Sequence, residues 1–240
     1  MRSVPWLDPH RPDFPDAAEA LSEPNGLLAA GGDLSPARII QAYRQGIFPW
    51  YEDPQPILWW SPNPRTVLYP GQFHLSRSLR KTIRKGDYRA TMDRHFASVI
   101  EHCGRLRRYR EGTWITGDMQ RAYQELHKLG IAHSVEIWRD EQLAGGLYGI
   151  ALGKVFFGES MFSLEPDASK IALWLLTRTL LERDFQLIDC QVDSPHLTSL
   201  GATRVDRSDY LKSLRMHANP PDPVGHWQLD EGYHLAEQLL

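Results

Sequence analysis

Residues 133–162 read HSVEIWRDEQLAGGLYGIALGKVFFGESMF, three apolar runs rich in β-branched and aromatic residues, parted by short polar turns. Runs of this length between turns are strands. His133–Trp138, Gln142–Leu152 and Lys154–Phe162 are therefore expected as an antiparallel meander. Upstream, Thr116 is placed to cap a helix that turns Met119, Ala122, Tyr123 and Leu126 inward and closes at Gly130. Downstream come a long apolar helix from about Ala168 to Arg183, a further strand at Gln186–Val192, and a short helix opened by Ser194-Pro195. Helix, three strands, helix, strand is an α+β order.

Further out, Asp93 is expected to cap a helix with Phe96, Val99, Ile100 and Cys103 at helical spacing. Ser76 is expected to cap another through Lys85, with Leu79 and Ile83 inward and its basic residues outward. Twelve of the 17 prolines lie in residues 1–70, so that region must be turn-rich and extended. Its one clear helix has Ser35 as cap, Pro36 in the first turn, Ile39, Ile40 and Tyr43 on a stripe, and Gly46 at the end. A division into a small Pro-rich N-terminal domain, 1–66, and a larger domain, 67–240, is expected. The Pro-rich tail from Asn219 is expected to lie over the surface.

The chain of 240 residues is 42% hydrophobic and 24% charged, an ordinary globular balance. It lacks the roughly 18-residue apolar run of a membrane span, and its N-terminus has no secretory h-region. Two cysteines, Cys103 and Cys190, form neither a disulfide framework nor a metal spacing. A soluble, cytoplasmic monomer is the expectation. Net charge is −3, yet residues 77–110 hold 11 Lys/Arg, among them Arg77, Arg80, Lys81, Arg84 and Lys85, against three acids. That segment is +8 on a remainder of −11. Such a stretch is either a polyanion footprint or a solvated helical face.

The strand Leu187-Ile188-Asp189-Cys190-Gln191-Val192 carries the most chemistry. Alternation puts Ile188, Cys190 and Val192 on one face and Asp189 and Gln191 on the other. Two polar groups on a central strand either satisfy a structural network or line a site. Cys190 points away from them, which disfavours a thiol nucleophile. In Gly158-Glu159-Ser160-Met161-Phe162, alternation places Glu159 with Phe157 and Met161. That carboxylate is paired (Lys170 and Arg178 are the candidate partners), protonated or functional. His127, His133 and His196 lack metal-ligand spacing, and no phosphate-cradling glycine loop is present, so no metal or cofactor is assigned.

Several stretches, in order, resemble one family. They include Gly31-Gly32-Asp33-Leu34-Ser35, Gly46-Ile47-Phe48-Pro49-Trp50, Trp59-Trp60-Ser61-Pro62 and Gly112-Thr113-Trp114-Ile115-Thr116. Gly158-Glu159-Ser160-Met161-Phe162, Asp189-Cys190-Gln191-Val192 and Ser199-Leu200-Gly201-Ala202 continue the match. The family is the leucyl/phenylalanyl-tRNA–protein transferases. The resemblance implies an acetyltransferase-like (GNAT-type) C-terminal domain without a CoA site. The junction Phe162-Ser163-Leu164-Glu165-Pro166-Asp167-Ala168 agrees, being acidic and free of the glycines that would present N–H groups to a pyrophosphate.

The resemblance also implies transfer of Leu, Phe or Met from aminoacyl-tRNA to a protein beginning with Arg or Lys, which marks that protein for degradation. It implies Asp189 and Gln191 at the reacting centre. It implies Tyr43, Trp50, Trp114 and Tyr123 around the terminal adenosine, with Glu159 on that adenosine or the incoming N-terminus. Leu147, Phe156, Met161 and Leu176 would form the apolar pocket. Ester-to-amide exchange is downhill and needs no nucleotide or metal. The enzyme must orient an α-amine of pKa ~7.7–8, take its proton and stabilise an oxyanion. An amide is a very poor base, so Gln191 is expected to bind the amine, polarised by Asp189. The proton is expected to go to tRNA groups or to Asp189 through water. The alternatives are a related cell-wall peptide-bridge transferase and a non-catalytic tRNA-binding protein.

Overall fold

The computed structural model describes residues 3–108, 113–219, 221–230 and 233–239. Prolines keep the first strands short. β1 (Trp6–Leu7), β2 (Leu27–Gly31), α1 (Pro36–Arg44), β3 (Phe48–Pro49) and β4 (Leu58–Trp60) build a four-stranded sheet in the order β1-β2-β4-β3. Ser35 caps α1 by accepting the Arg38 N–H, and Gly46 turns the chain at φ +74°. The buried Trp59 indole donates to the Gly31 carbonyl at 2.9 Å and so satisfies its one polar atom.

The larger sheet begins with β5 (Arg65–Leu68). Next come α2 (Arg77–Arg84), β6 (Arg89–Met92), α3 (Phe96–Arg108), α4 (Gly117–Lys128), β7 (Ala132–Arg139), β8 (Gln142–Leu152) and β9 (Val155–Ser163). The chain ends with α5 (Ala168–Glu182), β10 (Leu187–Gln191), α6 (Pro195–Ser199), β11 (Thr203–Val205) and α7 (Arg207–His217). The seven strands lie in the order β11-β5-β10-β9-β8-β7-β6, antiparallel except for the β9–β10 pair. On one face, α1, α3, α4 and α7 pack through Tyr43, Val99, Tyr123 and Leu214; on the other, α2 and α5 pack through Ile83, Leu175 and Leu180.

The α+β order read from residues 116–192 is present, with the meander as β7, β8 and β9. Ser76, Thr116 and Ser194 cap α2, α4 and α6 through their hydroxyls. Asp93 does not cap α3. At φ +56° its carboxylate instead accepts from the Ser134 N–H, the Trp227 N–H and His133 Nδ1. The tail departs from expectation as well: Trp227 is buried and stacks on His133 with ring centroids 4.0 Å apart, and Leu235 is also buried. β5, β6, β11 and α7 were not legible from periodicity.

Two bulges matter for the site. In β9, Tyr148 pairs with Ser160 and Gly149 with Gly158, so Glu159 is an extra residue. Beyond it the faces exchange, since an inserted residue shifts the alternation by one. Phe157 and Phe162 share one core, while Met161 joins Phe156 in the other. Met161 is therefore not on the face of Glu159 and Phe157. In β10 the register slips between Asp189 and Gln191, and Gln191 takes a left-handed φ of +62°.

Candidate active site

Asp189 is fully buried in the middle of β10. Arg65, from β5, grips it with two hydrogen bonds, Nε to Oδ1 at 2.9 Å and Nη2 to Oδ2 at 2.7 Å. The Tyr210 hydroxyl adds 2.7 Å to Oδ2, and the Gln191 N–H adds 2.9 Å to Oδ1. These four bonds fill the carboxylate's acceptor positions. Asp189 reaches the backbone of Gln191, not its side-chain amide. It thereby holds a non-glycine residue in a conformation that costs of order 1–3 kcal/mol.

So aimed, the Gln191 side chain donates from Nε2 to Glu159 Oε1 at 2.8 Å. The bulge turns Glu159 toward α1 and α4. Tyr43 OH donates to Oε1 at 2.6 Å and Tyr123 OH to Oε2 at 2.9 Å, with the two phenol oxygens 2.5 Å apart. Burial is the main reason the Glu159 carboxyl is pushed up to about 7; the tyrosine bonds oppose the rise, and the Asp189 charge adds to it. Burial and the nearby Glu159 raise both phenols well above their ordinary value, so they stay protonated. The partners expected for Glu159, Lys170 and Arg178, are not its partners: Lys170 pairs with Asp167 at 2.8 Å.

In front of this polar wall lies a cavity of about 270 Å³. Leu147, Phe156, Met161, Leu173, Leu176 and Ile188 line its apolar part. Phe48, Pro49, Trp50 and Trp114 line it from the side of the N-terminal strands, and Gln191, Glu159, Asp193 and Ser194 supply polar atoms. Cys190 lines the cavity too, on the side of Phe156 and Ile188, and burial pushes its thiol up, which keeps it protonated and non-nucleophilic. Val192, expected beside it on an apolar face, is exposed.

Of the residues singled out by sequence, Trp50, Trp114, Leu147, Phe156, Glu159, Met161, Leu176 and Gln191 all line this one cavity. Tyr43, Tyr123 and Asp189 stand behind its polar wall. Arg77, Arg80, Lys81, Arg84 and Lys85 lie on α2 and at its C-cap, and none forms an ion pair with a described residue. Arg110 of the basic segment, and the side chains of Arg107 and Arg108, fall outside the described residues. Arg65 and Tyr210 were missed. The one available signal was that a buried Asp189 requires a cation, but nothing local says which. Away from the cavity, Asp93, His127 and His226 bring possible ligand atoms within 4.8 Å of one another. The Asp93 oxygens and His127 Nδ1 are already engaged by protein donors and by the Ala132 carbonyl.

The chamber is thus apolar along most of its wall and ends on the Gln191 amide and the Glu159 carboxyl, an arrangement that can hold an apolar group beside polar atoms able to meet a reacting centre. The sequence comparisons supply the class. The profile described as "Leucyl/phenylalanyl-tRNA protein transferase" matches residues 67–215, and that of the family's N-terminal domain matches residues 32–63. The leucyl/phenylalanyl-tRNA–protein transferase of Cellvibrio japonicus is 56% identical over 225 residues, 93% of this chain and 96% of that protein. That of Stutzerimonas stutzeri is 56% identical over 216 residues, 90% and 96% of the two chains. The chain belongs to the leucyl/phenylalanyl-tRNA–protein transferase family and is an aminoacyltransferase acting between aminoacyl-tRNA and proteins. Among solved structures, an aminoglycoside acetyltransferase from an uncultured soil metagenomic sample is similar at 11% identity over 61% of this chain and 99% of that one, with a TM-score of 0.38. L-PGS from Bacillus licheniformis is similar at 10% identity over 62% and 48%, with a TM-score of 0.39.

Proposed function

We propose that the protein moves Leu, Phe or Met from its tRNA to the α-amine of acceptor proteins that begin with Arg or Lys, and so creates a degradation signal. The observation that carries this reading is the joining, in one cavity, of an adaptable apolar wall to the Gln191–Glu159 pair. Leu147, Phe156, Met161 and Leu176 hold the aminoacyl side chain; Met161 and the leucines adapt to more than one shape. Trp50 and Trp114 flank the terminal adenosine, with Tyr43 and Tyr123 supporting the wall behind. Gln191 orients the attacking amine, and Asp189 acts on it through the strand backbone. Arg77, Arg80, Lys81, Arg84 and Lys85 present unneutralised charge to the tRNA backbone.

In this proposal residues 1–66 act as an N-terminal domain that closes one side of the cavity, and residues 67–240 as the catalytic domain. The protein works as a monomer in the cytoplasm. Among the described residues no helix is long and apolar enough to cross a membrane. The test is incubation with radiolabelled Phe-tRNA, and separately Leu-tRNA, in the presence of a protein beginning with Arg. Label should enter the acceptor; no transfer from either tRNA overturns the reading.

A further inference from the structure

Aminoacyl transfer to an amine must relocate one proton. The N–C bond forms, the ester C–O bond breaks, the electron pair leaves on the ribose oxygen, and a proton must pass from the amine nitrogen to that oxygen. The established reaction does not say which group carries it. Asp189 cannot: it is fully buried and its oxygens are filled by Arg65, Tyr210 and the Gln191 N–H. This closes the route through Asp189 and water. Gln191 is an amide and a very poor base.

Glu159 differs from both, and the protons around it can be counted. Three close oxygen pairs join Glu159, Tyr43 and Tyr123, at 2.6, 2.9 and 2.5 Å. Each needs one proton to be a hydrogen bond, yet two phenols supply only two. With Glu159 ionised, one of the three pairs has no proton. With Glu159 protonated, the ring closes: carboxyl to Tyr123, Tyr123 to Tyr43, and Tyr43 back to the other carboxyl oxygen. Gln191 Nε2 donates to that same oxygen in either state. The cluster is built to hold one more proton than its ionised form carries, and Glu159 lines the cavity where the proton is released.

We infer that Glu159 is a catalytic residue, the group that takes the proton from the attacking amine and returns it to the departing ribose oxygen, with Tyr43 and Tyr123 closing the ring that stabilises the protonated state. This deepens the proposed function and rests on it. A shuttle that both accepts and donates works best with an affinity near the working pH, and burial lifts Glu159 to that range. The titratable groups facing it are few. Tyr43 comes from α1 and Tyr123 from α4; Asp189, on β10, is charge-balanced by Arg65 of β5. The phenols remain protonated well above neutrality, so Glu159 is the one group of the cluster that changes charge near pH 7.

The test is single-turnover transfer from saturating Phe-tRNA to a peptide beginning with Arg, over pH 5.5–9. Wild-type transfer is the control for the underlying function: if it fails, that reading falls first. Given wild-type transfer, Glu159→Gln should slow the step by about 10²–10⁴-fold, the usual contribution of a positioned acid–base group, with Phe-tRNA binding unchanged. A glutamine fits the ring, since its carbonyl oxygen still accepts from Tyr43 and Gln191 while its N–H₂ donates to Tyr123. The wild-type profile should show a limb governed by Glu159 that the variant lacks. Formate or acetate should restore part of the rate to Glu159→Ala and add nothing to wild type. A Glu159→Gln rate within about threefold of wild type, or a loss confined to tRNA affinity without carboxylate rescue, overturns the assignment and leaves Glu159 a binding residue.

Discussion

Removing the Arg65 guanidinium should expose how much of this protein's stability is tied to one buried ion pair. Arg65 and Asp189 are about 1% and 0% exposed in their side chains and share two bonds of 2.9 and 2.7 Å. In Arg65→Met, Asp189 keeps only the Tyr210 hydroxyl and the Gln191 N–H, and its charge stands uncompensated in the core. Breaking a buried pair in this way costs about 3–5 kcal/mol. For a chain of this size, roughly 2–4 °C per kcal/mol makes that a fall in Tm of about 6–20 °C. Methionine keeps the apolar packing against the Phe48 and Tyr210 rings, which the guanidinium carbon approaches at 4.7 Å each, so packing is a small part of the change. Adding Asp189→Leu should recover most of the stability, because the second substitution removes the stranded charge. Denaturant unfolding of the wild type, both single variants and the double variant gives the coupling energy directly. A cost below about 1 kcal/mol for Arg65→Met, the behaviour of exposed pairs, or no recovery in the double variant, would show that the buried charge is not what holds this strand pair.

Glu159 binds a proton more tightly in the folded protein (about 7) than a free glutamate does (4.5). The native state therefore holds more protons than the unfolded one between those values, and stability falls as pH rises from about 4.5 to about 7, by of order 3 kcal/mol. Glu159→Gln should flatten that part of the stability profile; an equal slope in both proteins would mean the carboxyl ionises at an ordinary pH. Gln191→Gly relieves a left-handed φ but deletes the 2.8 Å bond to Glu159, opposing effects of about 1 kcal/mol each, so stability should change little while transfer falls at least tenfold; retained transfer would show that the amide is dispensable. Leu176→Ala should enlarge the apolar end and shift the Phe-to-Leu preference by about 10–200-fold, measured as competing kcat/KM values, and no shift would place the aminoacyl side chain elsewhere. Replacing Arg80, Lys81 and Arg84 with uncharged residues should flatten the dependence of tRNA binding on salt by roughly 0.7–0.9 for each phosphate no longer neutralised; an unaltered slope would move the tRNA off α2.

What the sequence made legible was what local physics controls. A serine or threonine hydroxyl before an apolar stripe marks a helix start whatever surrounds it, so the caps at Ser35, Ser76 and Thr116 were readable. Alternation put Asp189 and Gln191 on one face, but the β10 bulge falls between them: Asp189 pairs with Val67 and Gln191 with the adjacent Thr66, so Gln191 is re-aimed and meets Glu159 through a left-handed turn that the pattern does not show. Alternation misplaced Met161, since the inserted Glu159 has no local signature. The cap read at Asp93 failed for a different reason: its carboxylate serves residues 40 and 134 positions away instead of the adjacent helix. The Arg65–Asp189 grip spans 124 residues and exists only once β5 lies beside β10. The ordered motifs named the cavity-lining residues; they did not reveal how the polar ones hold one another.

Tyr43, Phe48 and Trp50 come from the first sixty residues, while Glu159, Met161 and Gln191 come from the larger sheet, and the cavity exists only along their common boundary. An aminoacyl group lodged there would touch both sides at once and act as a mortar between them. Loading the enzyme should therefore tighten the whole molecule, and any strain that slides one sheet against the other should be felt as a loss of substrate before it is felt as unfolding.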